Sequence, residues 1–327
     1  MISLSRLTFA ALALLCMAAL ADESADIKLG KSTISRWKFG VEVTAEGGPV
    51  TGIVATLPVP MDWPEQRVTV VEESITPKTR VSYRVIDGAV KQMLVSIPKL
   101  AAGETAQAII TYEIEKSWIE PPESTDGLKL PKATRELAKF LGPSPFIETA
   151  DPQIKQTAAA QAGDDPQPWN QAQTLFTWVR ANVKYKFAEA IKPAAEALRD
   201  GEGDCEELSS LFIALCRVRK IPARAVWVPG HTYPEFYLED AAGQGHWYPC
   251  QAAGEAPDFG RMPEDRPILQ KGDNLKIPDE RVPQRYAKQT LRAKNAPSPP
   301  KVKFIMAGPP RESQPTDPRP AATHPLK

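Results

Sequence analysis

The period of the hydrophobic pattern changes near residue 130, and this change divides the chain into two parts. Before it, six short segments alternate apolar and polar residues or are rich in β-branched residues, as strands are. They are RWKFGVEVTAE, VTGIVATLPV, RVTVVEES, RVSYRVIDG, QMLVSIP and TAQAIITYEIE. Turn residues such as Gly-Gly and Asp-Gly favour antiparallel hairpins between them. We therefore predict an all-β, sandwich-like domain over residues 22–118, without a catalytic group of its own.

A linker with prolines and polar residues follows at residues 119–134, and after it the apolar residues recur at helical spacing. One amphipathic helix carries its apolar side chains at Ala172, Leu175, Phe176 and Val179. RELAKFLG and PAAEALRDG have the pattern of two shorter helices. Because helices come first and strands follow, we predict an α+β domain over residues 135–296.

The two ends of the chain differ in composition from the rest. Residues 1–21 combine Arg6 with the apolar run LTFAALALLCMAAL and close on Ala-Leu-Ala, the pattern of a cleaved signal peptide. We expect a secreted or periplasmic protein; a transmembrane anchor is the alternative, but the apolar run is short for a bilayer. Residues 297–327 contain nine prolines, which predicts a disordered tail, although KVKFIM has the pattern of a last strand.

The charge balance gives no support for a nucleic-acid or anionic-membrane partner. Lys and Arg number 40 and so do Asp and Glu, for a formal net charge of zero. No segment after the predicted signal peptide is long and apolar enough to span a bilayer.

Three cysteines follow the predicted signal peptide: Cys205, Cys216 and Cys250. An odd number in an exported chain leaves at least one thiol outside any disulfide of the monomer. A bond between Cys216 and Cys250 is one alternative, and it would leave Cys205 as a thiol.

Cys205 stands at the start of a well-patterned helix. Asp204 is a good N-cap residue, and Gly203 allows a tight turn before it. The positive end of the helix dipole favours a thiolate in the first turn, but Glu206 and Glu207 oppose it, so the thiol needs a basic partner. The apolar stripe of the helix consists of Leu208, Leu211, Phe212 and Leu215.

A histidine follows in the next strands. ARAVWV is a predicted strand, HTYPEFYLED begins a second one at His231, and AAGQG turns the chain into HWYPCQ. A turn centred near Ala241 sets His231 opposite Gln251, whereas a turn nearer Gly243 slides the register by about four residues. The sequence leaves both registers open. In the first, Cys205 as nucleophile, His231 as base and Gln251 as orienting group have the logic of covalent acyl transfer.

Two other roles compete for these residues. A lone cysteine in a helix usually packs in a core, but Cys205 begins its helix beside a Gly-Asp cap. A zinc site is disfavoured because it would lack a Cys-x-x-Cys or His-x-x-x-His pair. Its ligands would be Cys205, His231, His246 and Cys250.

GDC followed by an apolar helix, then IPARAVWV, HTYPEFYL and GHWYPCQ, resembles the transglutaminase-like superfamily, a papain-related group of thiol enzymes. The resemblance is best over residues 195–251 and does not reach the β domain. It implies a papain-like α+β core, with Cys205 as nucleophile, His231 as general base and Gln251 as the residue that orients the ring. Gln251 stands where the family usually has aspartate, and Tyr233 where it usually has tryptophan. A neutral amide holds the ring but stabilises an imidazolium less than a carboxylate does.

The resemblance implies an enzyme that moves an acyl group from a protein carboxamide or peptide carbonyl, through a thioester on Cys205, to an amine or water. The predicted signal peptide implies that this enzyme is exported. Cross-linking, deamidation and peptide hydrolysis are all compatible with it. The alternative is a binding or scaffold protein that keeps the fold without turnover, and Gln251 is its main support. We expect a protein or peptide substrate and no cofactor, since no acidic calcium loop occurs. The oligomeric state is left open.

Overall fold

The structure is a computed structural model that describes residues 28–278 and 280–309. The predicted signal peptide at residues 1–21 lies outside the described residues. The first six strands are β1 Leu29–Thr44, β2 Val50–Val59, β3 Gln66–Ile75, β4 Arg80–Ile86, β5 Val90–Leu100 and β6 Thr105–Ile119. The helices are α1 Arg135–Ala138, α2 Pro152–Ala162, α3 Pro168–Asn182, α4 Ala194–Asp200 and α5 Cys205–Val218. The later strands are β7 Lys184–Tyr185, β8 Glu202–Gly203, β9 Ala223–Val228, β10 His231–Glu239, β11 Gly245–Pro249, β12 Gln270–Lys271, β13 Thr290–Arg292 and β14 Lys301–Ala307.

Two antiparallel sheets face each other in the first part of the chain. One has the strand order β14-β1-β6-β3, and the other contains β2, β4 and β5. Alternating side chains of both sheets point inward and form a buried core, as period-two segments predict. It includes Phe39, Val41, Ile53, Leu57, Met93 and Ile110. The six predicted strands and the α+β fold class with a leading β-sandwich are confirmed.

The helices of the second part pack on the sheet that contains β9 and β10. Helix α5 contacts α2, α3 and α4 as well as these two strands. Its predicted apolar stripe is buried against residues such as Trp227 and Phe236. Helix α2 was not predicted, although the Asp151 side chain caps it and Pro152 opens it. None of the helices in the described part of the chain has the length and hydrophobicity that a bilayer span requires.

The two parts share one eight-stranded sheet, in which the order β11-β10-β9-β12-β5-β2-β13 crosses from one part to the other. Gln270 of β12 pairs with Trp227 of β9 and with Val90 of β5. The chain then returns to the sandwich, where β13 pairs with β2 and β14 with β1. The predicted end of the second domain at residue 296 therefore differs from the structure, because β13 lies before that residue and already pairs with the sandwich.

The C-terminal segment from residue 297 is not disordered as far as the structure describes it. Lys301–Ala307 forms strand β14 because Phe304 and Met306 alternate toward the sandwich core. Residues 310–327 of the predicted tail lie outside the described residues.

One buried lysine bridges the two parts. Lys271 Nζ lies 2.5 Å from Glu65, which precedes β3, and 2.8 Å from Glu235 of β10. All three side chains are buried. Burial alone would raise the pKa of Glu235, but Lys271 and Arg224 hold it below its ordinary value.

Candidate active site

Helix α5 begins at Cys205 because the residues around it cap the helix. The Asp204 side chain accepts a hydrogen bond from the Glu206 amide at 2.8 Å. The Glu207 carboxylate accepts one from the Asp204 amide, also at 2.8 Å. Together these bonds form a capping box, which satisfies amides that have no partner within the helix. Cys205 is therefore held in the first turn, where the sequence predicted it.

Cys205 is the accessible cysteine of the described residues. It is half-buried, whereas Cys216 and Cys250 are fully buried in the core. Burial raises the pKa of both buried thiols well above its ordinary value. No disulfide joins any of the three, so the alternative bond between Cys216 and Cys250 is not present in the structure.

The two acidic residues that follow Cys205 are both engaged. Arg285 donates from Nε to Glu206 Oε2 at 3.1 Å and from Nη2 to the Glu206 carbonyl oxygen at 3.2 Å. Burial and then the contact with Asp204 raise the pKa of Glu207 to about 7. The arginine and this partial protonation reduce the negative charge that the sequence places beside the thiol. No sequence pattern marked Arg285, because only the folded chain brings it to the helix.

His231 opens strand β10, which packs beside the first turns of α5. Ser209, one turn after Cys205, donates from Oγ to the Thr232 carbonyl at 3.3 Å and to the Cys205 carbonyl at 2.6 Å. His231 itself pairs with Val228 across the tight turn between β9 and β10. The thiol-bearing turn and the start of β10 therefore adjoin each other.

The hairpin of β10 and β11 adopts neither of the two registers that the sequence left open. Phe236 pairs with Tyr248 and Leu238 with His246, which centres the turn on Ala242, between the two predicted centres. The strand pairing ends before residue 251 is reached. A direct cross-strand pair between His231 and Gln251 is therefore not what brings these residues together.

Gln251 reaches the histidine from the loop after β11. Its backbone N–H donates to the Asp258 backbone carbonyl at 2.7 Å, and its backbone carbonyl accepts from Arg180 Nη1 at 2.7 Å. Arg180 also donates from Nη2 to the Gly254 carbonyl at 2.8 Å. An arginine near the end of α3 thus fixes this loop, a contact that the sequence analysis did not identify.

The side chains of His231 and Gln251 meet directly. Nε2 of His231 lies 2.7 Å from Oε1 of Gln251. A carbonyl oxygen only accepts hydrogen bonds, so the ring carries a proton on Nε2. In the neutral ring, Nδ1 then holds the lone pair and can accept a proton. His231 is only 4% exposed, so this contact orients a ring that is largely shielded from water.

A carboxylate that the sequence analysis did not single out also lies near this ring. Glu264 pairs with Arg266, whose Nη1 donates at 3.2 Å to a carbonyl of the turn before β10. Burial alone would raise the pKa of Glu264, but Arg266 and Lys116 hold it well below its ordinary range, and His231 contributes to this effect. Glu264 is therefore an ionised group within electrostatic range of His231.

His246 and Cys250 take no part in this arrangement. His246 Nε2 lies 3.2 Å from the Asp240 carboxylate, and Cys250 Sγ contacts the Pro234 carbonyl at 3.8 Å. Within residues 28–278 and 280–309, no group of three His, Cys, Asp or Glu side chains is placed to hold a metal ion. The zinc alternative therefore has no ligand set in this part of the chain.

Comparison with known proteins assigns the segment that carries these residues. Residues 155–252 match the family model of the transglutaminase-like superfamily, and the match includes Cys205, His231 and Gln251. These residues form a transglutaminase-like domain. The match extends the resemblance, which was best over residues 195–251, back to helix α2, the helix that the sequence analysis missed.

One solved structure resembles more of the chain than the transglutaminase-like domain. A candidate cysteine protease from Cytophaga hutchinsonii is 16% identical with a TM-score of 0.56, over 87% of this chain and 94% of that chain. The fold of this chain, including most of its β-sandwich, is thus similar to that structure. A candidate protease from Parabacteroides distasonis is 11% identical with a TM-score of 0.30, over 67% of this chain and 43% of that chain. No curated protein matches the sequence significantly.

Proposed function

We propose that this protein is a thiol enzyme that transfers the acyl group of a protein carboxamide or peptide carbonyl to an amine or to water. Cys205 is the nucleophile, His231 the general base and acid, and Gln251 the residue that positions the histidine. The observation that carries the proposal is the 2.7 Å contact between His231 Nε2 and Gln251 Oε1. It leaves Nδ1 as the basic nitrogen of a ring beside the turn that holds the accessible thiol.

The reaction has two halves. As Cys205 Sγ attacks the carbonyl carbon, His231 Nδ1 accepts the thiol proton and a C–S bond forms. Collapse of the tetrahedral intermediate breaks the C–N bond, and His231 returns the proton to the leaving nitrogen. Water or an amine then attacks the thioester and gives its proton to His231, and the C–S bond breaks to release the Cys205 thiolate, which recovers that proton.

The surroundings of the thiol support this chemistry. The start of α5 presents amides and the positive end of the helix dipole to Cys205, and Arg285 pairs with Glu206 next to it. Glu264 supplies a negative charge near His231 that the neutral amide of Gln251 cannot supply. The likeness in fold to a candidate cysteine protease is compatible with water as the acceptor.

An activated ester tests the proposal without knowledge of the natural substrate. The full chain is mixed with p-nitrophenyl acetate, quenched rapidly and analysed by peptide mass spectrometry, with hydroxylamine as an added amine acceptor. We expect an acetyl group on Cys205 that discharges to acetate, or to acetohydroxamate when hydroxylamine is present. His231→Ala should lower the rate of acetylation about 100-fold. His246→Ala, which removes another buried histidine of the same domain, should not lower it.

Cys205→Ala is the control for acetylation elsewhere in the chain. If the Cys205→Ala protein releases p-nitrophenol as fast as the wild type, or if the acetyl group is found only on lysines, the proposed function is wrong.

We also propose that the chain is exported, which rests on the signal-peptide pattern of residues 1–21. Expression in a bacterial host followed by N-terminal sequencing should yield a mature chain that begins at Asp22. An intact N-terminus on cytoplasmic protein would contradict it.

A further inference from the structure

Two exposed aromatic side chains lie next to the segment that carries the thiol. The exposed aromatic residues of 28–278 and 280–309 are Tyr83, Tyr185 and Phe187. Tyr83 belongs to the sandwich, where its ring lies under Lys91 and its hydroxyl contacts Tyr112. Tyr185 is 47% and Phe187 57% exposed, and they stand two residues apart. Single exposed apolar residues are common on protein surfaces, whereas neighbouring exposed apolar side chains often mark a binding surface.

The backbone fixes this pair relative to Cys205. Strand β7 runs parallel to β8, and Tyr185 pairs with Gly203, two residues before Cys205. The amides of Lys184 and Lys186 donate to carbonyls of the segment before the helix, both at 2.8 Å. Paired strands lie about 4.8 Å apart and two residues span at most about 7 Å, so the Cα atoms of Tyr185 and Cys205 are within about 12 Å. A substrate side chain next to the attacked carbonyl can span that distance.

The surroundings of the pair favour an apolar ligand. The lysine between the two aromatic residues, Lys186, is engaged by Glu202 at 2.6 Å. Lys192, further along the same connection, pairs with Asp200 at 2.6 Å. These pairs balance the charges of Lys186 and Lys192, and the exposed parts of Tyr185 and Phe187 add aromatic surface beside them.

We propose that Tyr185 and Phe187, called the aromatic shelf below, bind an apolar side chain of the substrate beside the carbonyl that Cys205 attacks. This rests on the proposed function and adds to it a substrate class, namely acyl donors with an aromatic or large aliphatic side chain near the reacting carbonyl. Removal of such a side chain from water against two aromatic rings is favourable, and offset or edge-to-face ring contacts add to it. The shelf determines specificity and takes no part in proton transfer.

Two thiol reagents of different side group test the shelf. The rate of modification of Cys205 is measured by peptide mass spectrometry with N-benzylmaleimide and with N-methylmaleimide, on the full chain. N-acetylcysteine gives the intrinsic ratio of the two rates. We expect the benzyl-to-methyl ratio of Cys205 to exceed the intrinsic ratio about tenfold. In Tyr185→Ser, Phe187→Ser and above all the double variant, the ratio should fall to the intrinsic one because the N-benzylmaleimide rate falls.

Val85→Ser is the matched control, since Val85 is also 57% exposed but lies in the sandwich. It should leave the ratio at the wild-type value. If the benzyl-to-methyl ratio of Cys205 in the wild type equals that of N-acetylcysteine, the aromatic shelf is wrong. Cys205 would still react with N-methylmaleimide in that case, so the proposed function would stand. A raised ratio that survives in the double variant would also overturn the aromatic shelf, because another surface would then bind the benzyl group. A Cys205 that reacts with neither reagent would overturn both proposals.

Discussion

The position of a single amide oxygen determines what His231 can do. Oε1 of Gln251 accepts a hydrogen bond from the N–H group at Nε2 of His231, so Nδ1 is the basic nitrogen of the ring. The proposed roles of Cys205, His231 and Gln251 were derived from sequence motifs, and the structure brings the side chains of His231 and Gln251 together. Arg180 and Arg285 could not be predicted from such motifs, because only long-range folding brings them to the loop and to the helix.

Gln251→Leu removes the acceptor at nearly constant side-chain size. We expect the rate of Cys205 alkylation by iodoacetamide at neutral pH to fall about tenfold, because the ring loses its orienting contact. Gln251→Glu keeps an oxygen acceptor and adds a charge that stabilises the imidazolium, so its rate should equal or exceed that of the wild type. Gln173→Leu, on the exposed side of α3, is the control. A wild-type rate in Gln251→Leu would show that this residue does not position the histidine.

Among the elements, most of those with local signals were predicted, helix α2 being an exception, whereas the β10–β11 register and the shortest strands were not. The start of α5 follows from Asp204 and from the spacing of its apolar residues. The register of β10 and β11 depends on the conformation of the turn at residue 242, which several turn lengths in AAGQG could satisfy. Strands β12 and β13 contain two and three residues, too few for any periodicity.

The burial of Glu207 at the start of α5 makes the stability of the fold depend on pH. The pKa of Glu207 is about 7 in the folded chain against an ordinary value of 4.5. As the pH rises from 4.5 to about 7, Glu207 ionises in the unfolded chain before it ionises in the folded chain. The contribution of Glu207 to the free energy of unfolding therefore falls between pH 4.5 and 7 and is constant above pH 7. Glu207→Gln can still accept from the Asp204 amide but does not titrate.

We therefore expect Glu207→Gln to gain stability over the wild type across this window, on the order of 3 kcal/mol in urea unfolding. Glu136→Gln, in the exposed first turn of α1, is the control and should show no such trend. A difference between Glu207→Gln and wild type that stays constant across the window would contradict the raised pKa.

In the whole molecule, the sandwich and the transglutaminase-like domain are joined by a common sheet and by a buried ion cluster. The sequence predicted two separate domains, since the change of period is visible along the chain but the return of the last strands to the sandwich is not. With Lys271 between Glu65 and Glu235, we expect one cooperative unfolding transition, with coincident far-UV circular dichroism and tryptophan fluorescence. Two separated transitions would contradict the shared sheet as a structural unit.

Lys271→Ala leaves two buried carboxylates without their common partner. We expect it to lower the free energy of unfolding by about 3–5 kcal/mol. Lys301→Ala breaks an exposed pair with Glu46 and should cost less than about 1 kcal/mol. Equal effects of the two substitutions would show that the buried cluster does not hold the two parts together.

The central claim is that His231 activates Cys205, and the pH dependence of Cys205 alkylation by iodoacetamide tests it most directly. The measurement is made on the wild type, His231→Ala and His246→Ala, with the modified peptide identified by mass spectrometry. We predict fast alkylation near neutral pH in the wild type and in His246→Ala, and a shift of the profile to alkaline pH in His231→Ala. Alkylation of the wild type only at alkaline pH, or a profile that does not change on loss of His231, would contradict the claim.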